Sequence, residues 1–416
     1  YFTVAHNKMS VFRLTIFFTL ILTVQCGNKT AELEELSHII RSFTGTIADG
    51  YMSLYKPLGP YSSVFSGLRI VDNLITMFNL GSEKVKTEIK KVLGLTPSLE
   101  KNGCDVMNSI TTYDAIEKSK TNVAFNSTIF YRPGMEIKDE AMKSSCIAGR
   151  VQLLNFTDQE AAMDTINDLF YDWDEIDYGR YIMKPLDANT NELILNHLLL
   201  QPVLEKEFHA YWWQKLFKDI KGVYWFTPFM AKFDYFFFEL YKKHNVYLIS
   251  QNFVDERFSY VVIFPKYRTE DMEGELRSCL VGEVFSDILL KAASLTNKTW
   301  MGMTMPHLHL RFRIDLKDIL PQTLLRALGE ETALSGLTSD LSNVTQFPHS
   351  EFTEFAYWFN GPGEQNLTYF QVDKPFIFVM MDNKFNVPLQ VTFFRRSAEL
   401  SRPIRLRLLR RILRFY

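Results

Sequence analysis

A chain of 416 residues with 47% hydrophobic and 14% aromatic side chains can bury a large core, which excludes a disordered polypeptide. One large domain or two ordinary ones would fit that length. The 46 basic and 48 acidic side chains nearly cancel, so the body of the protein offers no charge excess to nucleic acid or an acidic polymer.

Met9 opens a stretch with the pattern of a secretory signal. Arg13 supplies the positive end, and Leu14 to Val24 form an apolar run shorter than the roughly 20 residues a membrane-spanning helix needs. Val24 and Cys26 suit the positions ahead of a cleavage point, so residues 9–26 are expected to be removed. Residues 1–8 precede the natural start and are read as a non-native leader. Six N-x-S/T sequons, at Asn28, Asn126, Asn155, Asn297, Asn343 and Asn366, agree with a secreted, extracellular glycoprotein. Cys104, Cys146 and Cys279 remain after the signal; they allow at most one bridge, of open pairing, and leave one thiol free. None lies in a C-x-x-C pair, so no metal or redox chemistry is expected there.

Leu33 to Leu54 carries apolar residues at helical spacing and ends near Lys56-Pro57 and Gly59-Pro60. A short strand at Ser63 then enters a helix with Leu68, Val71, Leu74, Ile75 and Phe78 on one face, closed at Gly81. Lys84 to Leu93 is a second amphipathic helix. Asn122 to Phe130 alternates as a strand, Arg132-Pro133-Gly134 turns it, Met135 to Ala148 reads as helix and Val151 to Phe156 as a short strand. Ile194 to Leu200 is the apolar run of a strand covered on both faces. Asn196 is its interior polar side chain and requires hydrogen-bond partners.

Tyr211-Trp212-Trp213, Tyr224-Trp225-Phe226 and Phe233 to Phe238 make an aromatic middle, read as core and cross-strand packing in preference to a ligand pocket. His307 and His309 share a strand face at spacing two. The sequence places no third ligand, so they are read as an ordinary solvated face and not as a metal site. Leu316 to Leu328 reads as one helix closed by Gly329, and Phe376 to Met381 with Val387 to Phe394 as a hairpin turned at Asn383 to Pro388.

From about Leu33 to Arg396 these segments resemble the serpins, the serine-protease-inhibitor superfamily. Ser63 to Gly81 is similar to the family's Phe-Ser-Pro segment, with Gly67 at the proline and Arg69 at a small serine. Ile166-Asn167 resembles its Ile-Asn-x-Trp helix, with Leu169 at the tryptophan. Ile194 to Leu200 resembles its Leu-Val-Asn-Ala-Ile-Tyr-Phe strand, Tyr260 to Pro265 the strand ending Leu-Pro, and Asp373 to Phe376 its Arg/Lys-Pro-Phe. The resemblance implies an α+β serpin fold, three β-sheets with about eight or nine helices in a single large domain, residues 33–396. It places a sheet-gating core at Ser66, Asn196 and Thr353, the last standing for a histidine. It implies no enzyme, no catalytic residue and no cofactor, but a protein that baits a serine protease with a loop which enters the large sheet after cleavage.

That loop is short in this chain. Asn360, Gly361, Pro362 and Gly363 stand at the family's Asn-Glu-Glu-Gly hinge, and only Glu364 to Val372 lie between them and Asp373. Such a span reaches at most roughly 30 Å, whereas insertion needs about a dozen residues on the hinge side alone. Pro362 has no N–H to donate to a sheet. Glu364, Gln365, Asn366, Leu367, Thr368, Tyr369 and Phe370 complete the reactive-loop region; side chains such as Gln365, Leu367, Tyr369 and Phe370 replace the family's small ones, and a glycan on Asn366 could not enter an interior. The expectation is a non-inhibitory serpin that acts by binding a partner or ligand. The alternative is an active serine protease inhibitor with an unusual loop, or one whose loop exon is missing from the sequence. The chain has no G-x-S-x-G, H-E-x-x-H or Gly-rich phosphate loop, which argues against a hydrolase or metalloenzyme.

Residues 397–416 are foreign to that fold. Arg407, Arg410, Arg411 and Arg414 gather on one side of a helix, with Ile404, Leu408, Ile412 and Phe415 on another. This reads either as a basic amphipathic helix for anionic glycans or a membrane surface, or as a disordered or read-through tail.

Overall fold

The computed structural model describes residues 30–50, 52, 62–112, 122–171, 186–201, 203–338, 340, 348–355, 369–396 and 402–403. Helix α1 covers 30–50, and β1 (Ser63–Phe65) leads directly into α2 (Gly67–Leu80). Then follow α3 (Glu83–Leu93), α4 (Pro97–Thr111), β2 (Asn122–Tyr131), α5 (Asp139–Met142), β3 (Val151–Leu153), α6 (Gln159–Tyr171) and β4 (Glu192–Gln201). The next strands are β5 (His209–Lys218), β6 (Tyr224–Tyr241), β7 (Val246–Asn252) and β8 (Phe258–Pro265), followed by α7 (Met272–Ser278) and α8 (Glu283–Ala293). Strands β9 (Lys298–Pro306) and β10 (Leu308–Asp315), helix α9 (Gln322–Leu328), and strands β11 (Pro348–Phe355), β12 (Tyr369–Gln371), β13 (Phe376–Asp382), β14 (Val387–Phe394) and β15 (Arg402–Pro403) are the remaining elements among the described residues.

Among the described residues these strands form three sheets. The largest has ten strands along the path β1-β14-β13-β8-β7-β6-β9-β12, with β5 and β15 also paired to β6. A second has the order β3-β2-β4, and a third is the antiparallel pair β10-β11. Every residue of β8, β13 and β14 is buried, which is why these strands read as near-continuous apolar runs and not as alternating ones. Phe376 stacks on Phe394 at 5.1 Å and Tyr260 on Phe378 at 5.6 Å, so the centre of the large sheet is tied across neighbouring strands.

Four expectations change. The helix read over Met135 to Ala148 contracts to α5, followed by turns. There the Ser144 hydroxyl accepts from the Cys146 N–H at 3.3 Å, a local bond that competes with helix continuation. The single helix read over Leu316 to Leu328 is a 3-10 turn at Leu316–Asp318 and then α9, interrupted at Pro321, whose missing N–H cannot continue the ladder. Helix α4 was not expected. Thr96 caps it, accepting from the Leu99 N–H at 3.4 Å, and Pro97 opens it. Beyond Arg396, Arg402 and Pro403 pair with Phe226 and Trp225, and the Arg396 guanidinium lies 4.0 Å from the centre of the Trp225 ring. Arg402 and Pro403 of the tail thus belong to the large sheet; 397–401 and 404–416 lie outside the described residues.

Cys104 of α4 and Cys146 form a disulfide with Cα atoms 5.0 Å apart, while Cys279 is a buried free thiol. Burial pushes the Cys279 thiol up to about 12, which makes it a poor nucleophile. The bridge closes a sequence separation of 42 residues. On loop entropy alone, C146S is expected to cost about 4 kcal/mol of unfolding free energy. Urea unfolding of the variant against the oxidised protein checks this, and equal stabilities would mean the bridge does not form.

Candidate functional site

The three residues read as a sheet gate are distributed over two sheets and a helix. Ser66 is fully buried and caps α2, accepting from the Arg69 N–H at 3.4 Å. The glycine after it has a local cause. A Cβ on Gly67 would sit 1.8 Å from the hydroxyl of Thr44 on α1, so a proline cannot occupy the position while α1 packs this closely. Asn196 lies in β4 and donates its amide to the Arg69 carbonyl and to Oδ2 of Asp72, each at 2.9 Å. Ser66 and Asn196 therefore meet through α2. Thr353 stands opposite Leu310 in the β10-β11 pair.

Asp72 and Arg69, both buried, were not read as site residues. Asp72 follows Leu68 by four residues, the one helical spacing that could have flagged it, whereas Arg69 is turned about 100° from Leu68. Arg150 Nη1 is 3.8 Å from Asp72 Oδ2, and its Nη2 donates to Asn108 Oδ1 at 2.7 Å. The Asn108 amide in turn donates to the carbonyl of Ser145 at 2.8 Å, the residue preceding the bridged Cys146. A polar chain thus runs from the disulfide through Asn108 and Arg150 to Asp72 and Asn196. Burial raises the Asp72 carboxyl above its ordinary value, and Arg150 and Asn196 oppose that shift.

Of the loop region, Asn360, Gly361, Pro362, Gly363, Glu364, Gln365, Asn366, Leu367 and Thr368 lie outside the described residues. Tyr369 and Phe370, read as loop, are strand residues: β12 runs parallel to β9 and pairs Tyr369 with Gly302 and Phe370 with Met303. The cause is aromatic packing. The Phe370 ring meets Tyr247 at 5.2 Å, Phe238 at 5.3 Å and Phe264 at 5.9 Å, all edge-to-face. The fastening continues along the chain. Val372 is fully buried and donates its N–H to Thr304 O at 2.8 Å, the carbonyl of Asp373 accepts from Lys218 N at 2.9 Å, and the Tyr267 hydroxyl donates to Pro375 O at 2.6 Å. Burial raises the Asp373 carboxyl, against the pull of neighbouring Lys374.

Among the sequons, Asn155 is exposed and its Oδ1 accepts from the Thr157 hydroxyl at 2.7 Å, and Asn297 is exposed just before β9. Asn126 sits within β2 opposite His197. Asn28, Asn343 and Asn366 are outside the described residues. The solvated face read at His307 and His309 is not what forms. His307 is buried at the bend between β9 and β10, where its N–H donates to Pro228 O at 2.9 Å, and His309 stands opposite Glu354. Among the described residues, no group of three or more His, Cys, Asp or Glu side chains could hold a metal ion.

The sequence pattern of the serpin (serine protease inhibitor) family matches residues 51–394, and the chain belongs to that family. A sequence search of curated proteins returns no match. Solved structures of the same fold include thyroxine-binding globulin in complex with thyroxine, with 16% identity and a TM-score of 0.74 over 88% of this chain and all of that one. Human glycosylated kallistatin has 15% identity and a TM-score of 0.72 over 87% of this chain and 98% of its own. The Manduca sexta serine protease inhibitor (serpin)-12 has 18% identity and a TM-score of 0.67 over 85% and 98%.

Two outcomes follow from this geometry. A carboxyl whose folded-state value exceeds its unfolded one adds stability in acid, and that contribution is lost as pH rises through the folded value. The stability of the native protein minus that of D72N should therefore fall as pH rises from about 4 in urea titrations; a difference that grows with pH would mean that Arg150 outweighs burial. Removing the Phe370 ring in F370A should cost about 2 kcal/mol, since the ring is only half-buried. It should also speed amide exchange at Gln371 and Val372 selectively, and uniform exchange across β9 and β12 would show that the ring does not fasten the strand.

Proposed function

We propose that this chain is a secreted serpin-family glycoprotein that does not inhibit proteases by loop insertion and acts by binding an extracellular partner or ligand. The observation that carries this reading is the fastening of the loop's return limb. With β12 held from Tyr369 onward by the Phe370 rings, only residues 356–368 connect β11 to β12. The whole outgoing strand must come from that span, which includes Pro362 and the Asn366 sequon. A disulfide between Cys104 and Cys146 supports an oxidising compartment, and no helix among the described residues is long and apolar enough to cross a membrane. The thyroxine-binding globulin of the same fold is a precedent for a serpin that carries a ligand. In this reading the chain is not an enzyme, and any basic surface at residues 404–416 serves anionic glycans or membranes.

One observation favours an active inhibitor instead. Strands β4 and β11 are each the last strand of their sheet among the described residues, so their outer edges are available to another strand. Incubation with trypsin-like and chymotrypsin-like proteases decides between the two. The expected result is cleavage without an SDS-stable complex, and an unfolding temperature that moves by only a few degrees after limited proteolysis. A covalent complex on the gel, or a rise of tens of degrees, would establish the inhibitor.

A further inference from the structure

The ten-stranded sheet carries an exposed aromatic pair that the loop and the gate do not use. Tyr235 of β6 and Trp300 of β9 are directly opposite each other in the ladder, 56% and 55% exposed, with ring centres 5.0 Å apart and edge-to-face. Other rings in this aromatic middle, such as Phe217, Phe229 and Phe236, are fully buried. Pairs Phe237 with Lys298 and Phe233 with Gly302 lie on the same face; Gly302 is buried, so the exposed patch centres on Trp300, Tyr235 and Lys298. The Lys206 ammonium lies 5.7 Å from the centre of the Trp300 ring, and that of Lys298 lies 5.1 Å from the Phe237 ring. Glu205 and Glu207, both exposed, flank Lys206, so the patch has no net charge with which to recruit a polyanion. A neutral occupant with an apolar face suits it better.

We propose that the occupant is the chain's own N-linked glycan on Asn297, whose first N-acetylglucosamine rings lie over Trp300 and Tyr235. The proposal rests on the secreted-glycoprotein reading. Asn297-Lys298-Thr299 is a complete acceptor sequon and Asn297 is exposed. The bond forms between Asn297 Nδ2 and the anomeric carbon of the first sugar. It displaces the diphosphate of a lipid-linked oligosaccharide donor, and the amide gives up one proton. Trp300 is three residues further along an extended chain, about 10 Å away, a distance that the first two sugars span. The ladder begins at Lys298, so strand pairing does not fix the direction of Asn297, and the glycan can turn onto the aromatic face. The C–H faces of N-acetylglucosamine pack on the electron-rich faces of the rings, covering apolar surface that otherwise meets water.

The test uses full-length protein secreted from mammalian cells, with N297Q and T299A as two independent ways of removing the sequon. Mass spectrometry reads occupancy at Asn297 and Asn155, and hydroxyl-radical footprinting reads the accessibility of Trp300. The expected result is an occupied Asn297, and a Trp300 oxidised severalfold more in both variants while Trp225 is unchanged. Occupancy at Asn155 with a bare Asn297 overturns the proposal and leaves the glycoprotein reading intact. No occupancy at Asn297 or at any of the other five sequons, read in the same digest, overturns both. An occupied Asn297 with unchanged Trp300 oxidation also overturns it. So does a low Trp300 oxidation in variants that become dimeric by light scattering, since the face then belongs to a second copy.

Discussion

Asn196 reaches from β4 to α2 and gives its amide hydrogens to the Arg69 carbonyl and the Asp72 carboxylate. Both acceptors are buried; the Arg69 carbonyl also belongs to the ladder of α2 and Asp72 also faces Arg150, so losing Asn196 would weaken their satisfaction at a cost of about 1 kcal/mol. Asn196 thus ties the three-stranded sheet to the helix beneath it from within the apolar stretch of β4. Asp72 makes the arrangement conditional, because burial disfavours its charge while Arg150 favours it. Arg150 is in turn held by Asn108 of α4, and Asn108 by the backbone beside the disulfide. The covalent staple and the buried carboxylate are consequently parts of one support.

A second constraint acts on the far side of the chain, at the return from the loop. Strand β12 is only three residues long, too short to hold its place by backbone pairing alone. Phe370 supplies the difference by wedging between rings from β6, β7 and β8, and Val372, Asp373 and Pro375 extend the attachment into the hairpin β13-β14. The hairpin is itself fully buried, so the attachment point is as rigid as the core.

How much of this was legible in the sequence varied with the kind of signal. The hairpin, β4 and α2 were plain, because long apolar runs with the right period and clear turn residues permit one reading. Asn196 was legible for the complementary reason, as a lone amide in such a run. Asp72 and Arg150 were not, since a charged residue on a helix or in a turn reads as solvated until the inward face is fixed. His307 misled in the same way: two histidines at spacing two suggest one strand face, but the chain bends at His307, between β9 and β10, and buries it. Phe370 read as a bulky loop residue because its three ring partners come from strands distant in sequence. The disulfide pairing could not be read from three cysteines without knowing that α4 and the turn after α5 meet.

The open edges of β4 and β11 and the attachment of β12 pull in opposite directions, and their magnitudes can be compared. A strand entering between open edges gains roughly one net hydrogen bond of about 0.5–1.5 kcal/mol per donor or acceptor paired, but Pro362 forfeits its share and interrupts the ladder. Lengthening the entering segment past Thr368 would require β12 to leave β9. That step gives up its backbone pairing, the ring contacts of Phe370 and the burial of Val372 together. Each residue recruited this way extends the entering strand by only about 3.3 Å. The gain per residue is thus at most two hydrogen bonds, while detaching β12 costs a packed aromatic ring and a buried valine, and the proposed non-inhibitory reading rests on that imbalance.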